Sequence, residues 1–277
     1  MALSTSVQKA CRLMRVLSDQ RNTRLTDLAG AAGLDKASAL RLLDTLVAEG
    51  FVARDEASKA YSVGPEWLVL RATSVHRIDL RAAVRPALIR LAQSSEDSVI
   101  LSVPSGHESV CTEMRPGTFP IRANYLNVGS RRPLGVGAGS LALLAALPDA
   151  EVEATLTAIT PSLKRYPHFS VAMLRREVQA TRSRGYAILL DVVVERMGGI
   201  AVPLHDPEGY PVGAISIAAL SDRISEREEK LALALRREAS AVSEAWLKPG
   251  TSPARAASGA KRPPKDAASA SREYSEA

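Results

Sequence analysis

Lys36, Ser38 and Arg41 fall close together in Asp35-Lys36-Ala37-Ser38-Ala39-Leu40-Arg41. Two cations and a hydroxyl on the outer, N-terminal turns of a helix can meet phosphates and base edges when that helix enters the major groove of DNA. Arg54 and Lys59 follow in a short polar turn. The chemistry these residues offer is recognition of a polyanion, not bond-making.

Positioning them requires a particular succession of elements. Thr26 is expected to cap a short helix whose Leu28, Ala29 and Ala32 share one apolar face. Gly33 suits the left-handed residue that ends a helix, with Leu34 buried in the turn. Asp35 is the expected cap of the next helix, cored by Leu42, Leu43, Leu46 and Val47 and ended by Gly50. Phe51-Val52 and Tyr61-Ser62-Val63 read as two strands around the turn Asp55 to Lys59. An upstream helix, about Ser4 to Leu17, places Val7, Ala10, Cys11, Met14 and Leu17 on one face to complete a three-helix core. This order is a winged helix-turn-helix, and double-stranded DNA is the first candidate partner.

A rival class would be an enzyme. Cys111 and His107 sit four apart across an expected hairpin turn, and His76, His107, His168 and His205 are scattered. Neither pattern is a nucleophile elbow or a metal-ligand spacing, and Cys111 reads as a small core residue. Gly135-Val-Gly-Ala-Gly139 lacks the strand before it and the lysine after it that phosphate loops need. The reading therefore assigns no catalytic residue, no metal and no cofactor.

The chain has 277 residues, which leaves room for two domains. Its net charge of +6 fits an acidic partner, although a modest excess is common on solvated surfaces. Two distant cysteines fit a reducing cytosol and no disulfide framework. Leu141 to Leu147 is the longest apolar run and is too short to span a membrane. No signal-peptide pattern is evident, so a cytoplasmic protein is expected.

The expected organisation is a winged helix-turn-helix over 4–64, a linker helix over 65–78, a mixed α+β domain over 79–248 and a disordered tail over 249–277. In the second domain Leu80, Val84, Leu88 and Leu91 mark a helix that contains Pro86. Strands are expected at Ser98–Val103, Ser109–Met114, Phe119–Ala123, Tyr186–Val194, Gly199–His205 and Pro211–Ala219. Helices are expected from Gly139 to Leu147, from Ser170 to Arg184, and from a Ser225 cap to Leu247. The architecture implied is a sheet with helices on one side.

From Ser4 to Leu247 the chain resembles the IclR family of bacterial transcriptional regulators. The resemblance rests on Gly33-Leu34-x-Lys36-x-Ser38-x-x-Arg41-Leu-Leu-x-x-Leu46 with Glu49-Gly50-Phe-Val. It also rests on Val128-Gly129-Ser-Arg-Arg-Pro133-Leu-x-x-Gly-Ala-Gly139, Arg184-Gly185-Tyr186, and Ala201-Val-Pro-Leu-x-Asp206-x-x-Gly209-x-Pro-Val-Gly-Ala-Ile-Ser216.

The resemblance implies a dimer or tetramer whose paired winged helices bind an operator. It also implies a GAF/PAS-like C-terminal domain that binds a small organic effector, often a carboxylic acid or aromatic catabolite. Many such proteins are repressors and some are activators. By this likeness Lys36, Ala37, Ser38 and Arg41 face DNA, with Arg41 suited to bidentate contact with guanine and Lys36 and Ser38 to phosphate. Arg54 and Lys59 become wing contacts. The effector pocket would be lined by Ile121, Asn124, Ala138, Gly139, Leu189, Met197, Gly199, Ile215, Ser216 and Ala218. Leu189 replaces an acid that faces ligand in some relatives, and Arg196 stands at a usual glycine. The loss of that acid suggests a more apolar or differently oriented effector, and Arg196 is a candidate partner for its carboxylate. An architectural DNA-binding protein, or an enzyme with an appended DNA-binding domain, is the alternative.

Overall fold

A computed structural model describes residues 4–18, 23–73, 80–122 and 126–247; the side chains of 71–73 and 245–247 are left out. Asn124 and the tail 249–277 therefore lie outside the described residues.

The N-terminal unit holds α1 (Thr5–Ser18), α2 (Leu25–Ala31), α3 (Lys36–Ala48), β1 (Val52–Arg54) and β2 (Tyr61–Val63). Leu13, Leu28 and Leu43 are its fully buried centre, joined by Ala29, Ala32, Ala39 and Tyr61. The apolar face of α1 is thus built on Leu13 and Leu17, and the expected Val7 is 61% exposed. Gly33 is left-handed at φ 64°, as the turn between α2 and α3 requires. Asp35 caps α3, its Oδ1 accepting from the Ser38 amide at 2.8 Å. Thr26 does not cap α2. The helix starts at Leu25, so Arg24 takes the cap position and provides no side-chain hydrogen bond. β1 and β2 pair antiparallel, with Val52 opposite Val63 and Arg54 opposite Tyr61.

α4 (Glu66–Thr73) follows the wing, and the indole Nε1 of Trp67 donates to the Phe51 carbonyl at 3.0 Å. The second unit begins with α5 (Leu80–Ser95), which continues on both sides of Pro86. Then come β3 (Ser98–Ser105), β4 (Glu108–Arg115), β5 (Arg131–Pro133), α6 (Ala138–Ala145), α7 (Asp149–Leu163), α8 (Val171–Arg184), β6 (Ala187–Leu190), β7 (Met197–His205), β8 (Pro211–Leu220), α9 (Ser221–Ser225) and α10 (Glu228–Leu247).

The strands form one antiparallel sheet in the order β5-β4-β3-β8-β7-β6. Helices cover both faces of it, not one. Val84, Leu88 and Leu91 of α5 and Leu231 and Leu235 of α10 pack on Leu101, Ile200, Val202, Ile215 and Ile217. α6, α7 and α8 pack over Ala187, Leu189, Ala201 and Ala214 on the opposite face. The strand alternation explains the asymmetry. In β8 the branched Ile215 and Ile217 point one way and the small Ala214, Ser216 and Ala218 the other. The small-residue face leaves room for something besides core.

Four further expectations are corrected. Phe119 to Ala123 is no strand over its described part: residues 118–121 are bends after Pro116 and Gly117, and 122 is irregular. Phe119 is fixed instead by its amide donating to the Glu96 carbonyl at 2.9 Å and by Arg223, whose guanidinium carbon lies 3.6 Å from the ring centroid. The Tyr186–Val194 strand stops at Leu190, because Asp191 turns left-handed at φ 61°. α7, for which no helix was expected, runs from Asp149 with Pro148 at its cap position and contains Pro161. Ser225 ends α9 rather than capping the last helix, which starts at Glu228.

Candidate functional site

Two places carry polar chemistry at a surface or in a cavity. The first is the outer face of the winged helix. Lys36, Ala37 and Arg41 are exposed and Ser38 is half-buried on the first turns of α3. The Asp35 cap fixes the start of this helix, and hydrogen bonds from the Ser38 amide and hydroxyl hold its carboxyl below the usual range. Arg41 Nη2 donates to Ser38 Oγ at 3.4 Å, a long contact that leaves the guanidinium available.

Beside α3 runs an open cleft between the start of α2, the start of α3 and the wing. Four basic side chains line it, Arg24, Lys36, Arg54 and Lys59, with the hydroxyl-bearing Thr26 and Ser58. Arg54 lies over the Tyr61 ring at 5.5 Å, which orients its guanidinium. At the wing tip Lys59 Nζ donates to Glu56 Oε2 at 2.9 Å, so this lysine is partly neutralised. The sequence marks neither Arg24 nor Thr26 as a DNA contact, and Thr26 only as a helix cap. Arg24 precedes α2, and only folding brings it beside Lys36 and the wing.

The second place is a small cavity on the small-residue face of the sheet, under the start of α6. Of the residues expected there, Ala138, Gly139, Leu189, Met197, Gly199, Ser216 and Ala218 line it. Ile215 does not; it is fully buried on the opposite face with α5 and α10. Its neighbours Ser216 and Ala218 face the cavity, so the alternation of β8 sends it away. Ile121 does not either, being 54% exposed in the bend after β4. Arg196 is exposed, outside the cavity and left-handed at φ 61°, the conformation a glycine takes without strain.

The helix and the sheet approach closely. A Cβ built on Gly199 would lie 3.1 Å from Ala138 Cβ. Gly137, at φ 100° and ψ 151°, occupies the cap position of α6 in a backbone region reserved for glycine. It has no side chain to satisfy the first amides of the helix, which lie at the cavity. Ser102 and Ser216 hydroxyls flank this helix start, each 3.3 Å from where a Gly139 Cβ would be.

Sequence reasoning missed Arg132, which lines the cavity with a terminal nitrogen 3.4 Å from the position of a Gly137 Cβ. It also missed Ile100, Ser102, Leu126 and Val193, which lie on the walls. Cys111 is 3% exposed and faces this cavity, whereas His107 is exposed in the hairpin turn, so the two form no pair. Burial pushes the Cys111 thiol up to about 11, only partly opposed by the Arg132 charge, so it stays protonated at neutral pH. The site thus offers a helix start, a guanidinium and hydroxyls at one end, and Ile100, Leu126, Leu189 and Met197 as an apolar wall.

A winged helix with a cationic face, joined to a domain that encloses a small cavity, defines a DNA-binding regulator of the ligand-responsive kind. Residues 6–56 match the IclR helix-turn-helix domain and residues 72–244 the C-terminal domain of bacterial transcriptional regulators of the IclR type. The chain belongs to the IclR family of transcriptional regulators. It is 33% identical to the glycerol operon regulatory protein of Streptomyces coelicolor, over 86% of this chain and 94% of that one. It is 25% identical to the acetate operon repressor of Salmonella typhimurium, over 80% and 82% of the two chains. Among solved structures, an IclR transcriptional regulator from Alicyclobacillus acidocaldarius superposes with a TM-score of 0.70 at 24% identity, covering 88% of this chain and all of that one. An IclR homologue from Microbacterium hydrocarbonoxydans in complex with 4-hydroxybenzoate shares the fold at a TM-score of 0.70 and 21% identity, covering 88% and 99%. No described helix is long and apolar enough to cross a membrane.

Proposed function

We propose that this chain is a cytoplasmic repressor without enzymatic activity, whose operator affinity is set by a small organic acid bound under α6. The single observation that carries the effector class is the pairing of Arg132 with the uncapped start of α6 at one end of an otherwise apolar cavity. A carboxylate gains from both the charge and the helix dipole, and an apolar body of a few carbons fits the opposite wall. The operon-regulator names of the relatives and the 4-hydroxybenzoate complex of one of them support an effector of this size.

On DNA, α3 enters the major groove with Arg41 reading a base edge and Lys36, Ala37 and Ser38 lying against the groove wall. Arg24, Arg54 and Lys59 hold backbone phosphates from the cleft beside it. The protein acts as a dimer or tetramer. Val63, Trp67 and Leu68 expose 48%, 41% and 69% of their surfaces along the wing and α4, an apolar strip suited to a second copy. Two recognition helices then meet half-sites about one helical turn apart, or a multiple of that.

Fluorescence anisotropy tests the whole reading. DNA upstream of the chain's own gene is titrated with the full-length protein, against random DNA, with and without short carboxylates and 4-hydroxybenzoate. Tight specific binding that a carboxylate alters by a constant factor is the expected result, and DNA must alter carboxylate affinity by the same factor. Equal affinity for both DNAs under every condition would favour an architectural role.

A further inference from the structure

The pairing of β3 with β4 is irregular at one point. Leu101 pairs with Glu113 and Ser102 with Cys111, so Thr112 is an extra residue on β4. Thr112 Oγ1 donates to the Leu101 carbonyl at 3.4 Å and fills the bulge. In a regular strand, residues two apart share a face. Here Cys111 faces the cavity, packed with Ile100 and Ala218, while Glu113 meets α5 on the other side of the sheet.

Glu113 is 4% exposed and surrounded by guanidinium groups. Its Oε1 accepts from Arg85 Nε at 3.0 Å and from Arg115 Nη2 at 2.8 Å. Its Oε2 accepts from Arg81 Nε and from Arg85 Nη2, each at 3.4 Å. Burial pushes its carboxyl up, but the hydrogen bonds and charges of Arg85, with those of Arg115 and Arg81, outweigh this and hold it below the usual range. Arg115 Nε is buried with no hydrogen-bond partner among the described residues. One carboxylate therefore bridges three guanidinium groups that would otherwise be like charges in contact, and the cluster keeps a net positive charge. Arg81 and Arg85 belong to the first turns of α5, the part of the second unit nearest in sequence to the DNA-binding unit.

We propose that Glu113 is the positioning residue that carries the state of the cavity wall to α5. Cys111 and Glu113 are joined through a single bulged residue, so a displacement of the wall moves the carboxylate on which the first turns of α5 are pinned. The role in DNA release rests on the effector reading above; the wall-to-helix coupling does not.

The test therefore needs no ligand. Cys111→Met enlarges the wall residue in the full-length protein, alone and combined with Glu113→Gln or Arg85→Gln. Hydrogen–deuterium exchange is followed over residues 80–92. Cys111→Met is expected to change exchange there about threefold or more with Glu113 and Arg85 intact, and to leave it unchanged in either neutralised background. The same change in all backgrounds overturns the proposal, and so does no change in the intact one. Thermal melts check folding. Should Glu113→Gln fail to fold, Arg85→Gln, at a half-exposed side chain, gives the same answer. Titration of these variants with 4-hydroxybenzoate separates the two readings. Failure to bind any variant sinks that effector but not the coupling. Binding that still alters α5 in Glu113→Gln as in the parent overturns the coupling.

Discussion

Gly139 and Ser216 face each other across the gap between α6 and the sheet: a Cβ on Gly139 would sit 3.3 Å from Ser216 Oγ and 3.5 Å from Ser216 Cβ. Only small residues on both sides keep the cavity open where its polar end lies. Ser216→Leu should fill it and abolish the response of DNA affinity to carboxylates, with DNA affinity itself retained. The check is anisotropy with and without ligand; a preserved response would place the effector elsewhere.

Arg132 supplies the only full positive charge among the residues lining this cavity. Arg132→Gln should weaken carboxylate binding about tenfold or more, because the carboxylate loses its cationic partner and keeps only a neutral donor. Binding of the corresponding primary amide should change little. Isothermal titration of the acid and its amide would decide, and equal losses for both would mean that Arg132 shapes the cavity instead of holding the charge.

Much of this was legible in the sequence because it is local. Gly33, Asp35 and Gly50 announce their turns and caps, and Ser216 and Ala218 announce a strand with one small-residue face. The same alternation excludes Ile215 from the cavity, and the period of two was sufficient to say so. Arg132 and Cys111 were not legible as wall residues. Arg132 reaches the cavity through a three-residue edge strand, β5, which residue pattern alone does not reveal. The bulge at Thr112 sets the direction of Cys111 relative to Glu113, and it exists only in the pairing with β3. α7 escapes the sequence reading for a local reason: Pro148 directly follows the expected end of one helix at Leu147 and is also the cap position of the next.

Asp35 gives a pH signature. Its carboxyl is held below the usual range by the Ser38 amide and hydroxyl, so the stabilisation is complete above the unfolded value of about 3.9 and is lost as pH falls through the folded value. Asn caps a helix as well as Asp does but does not titrate there. Between about pH 5 and pH 3 the parent should therefore lose more thermal stability than Asp35→Asn, measured by circular dichroism of both. Parallel losses would show that the cap is not the titrating group.

Arg24 and Arg41 should fail differently on DNA, and the difference separates positioning from reading. Arg24 lies in the cationic cleft, away from the outer face of α3, so Arg24→Gln should weaken binding to operator and random DNA alike. It should also lower the slope of log affinity against log salt by about 1, the signature of one lost phosphate contact. Arg41 is exposed on α3, and its guanidinium makes a long contact to Ser38. Arg41→Ala should cost roughly 1–3 kcal/mol on the operator, relax the preference at one base pair and leave random DNA much less affected. A salt series on both variants with both DNAs measures all four quantities. Were Arg41→Ala to lose equally on the two DNAs, Arg41 would be a phosphate contact, and the base readout would have to come from Lys36 or Ser38.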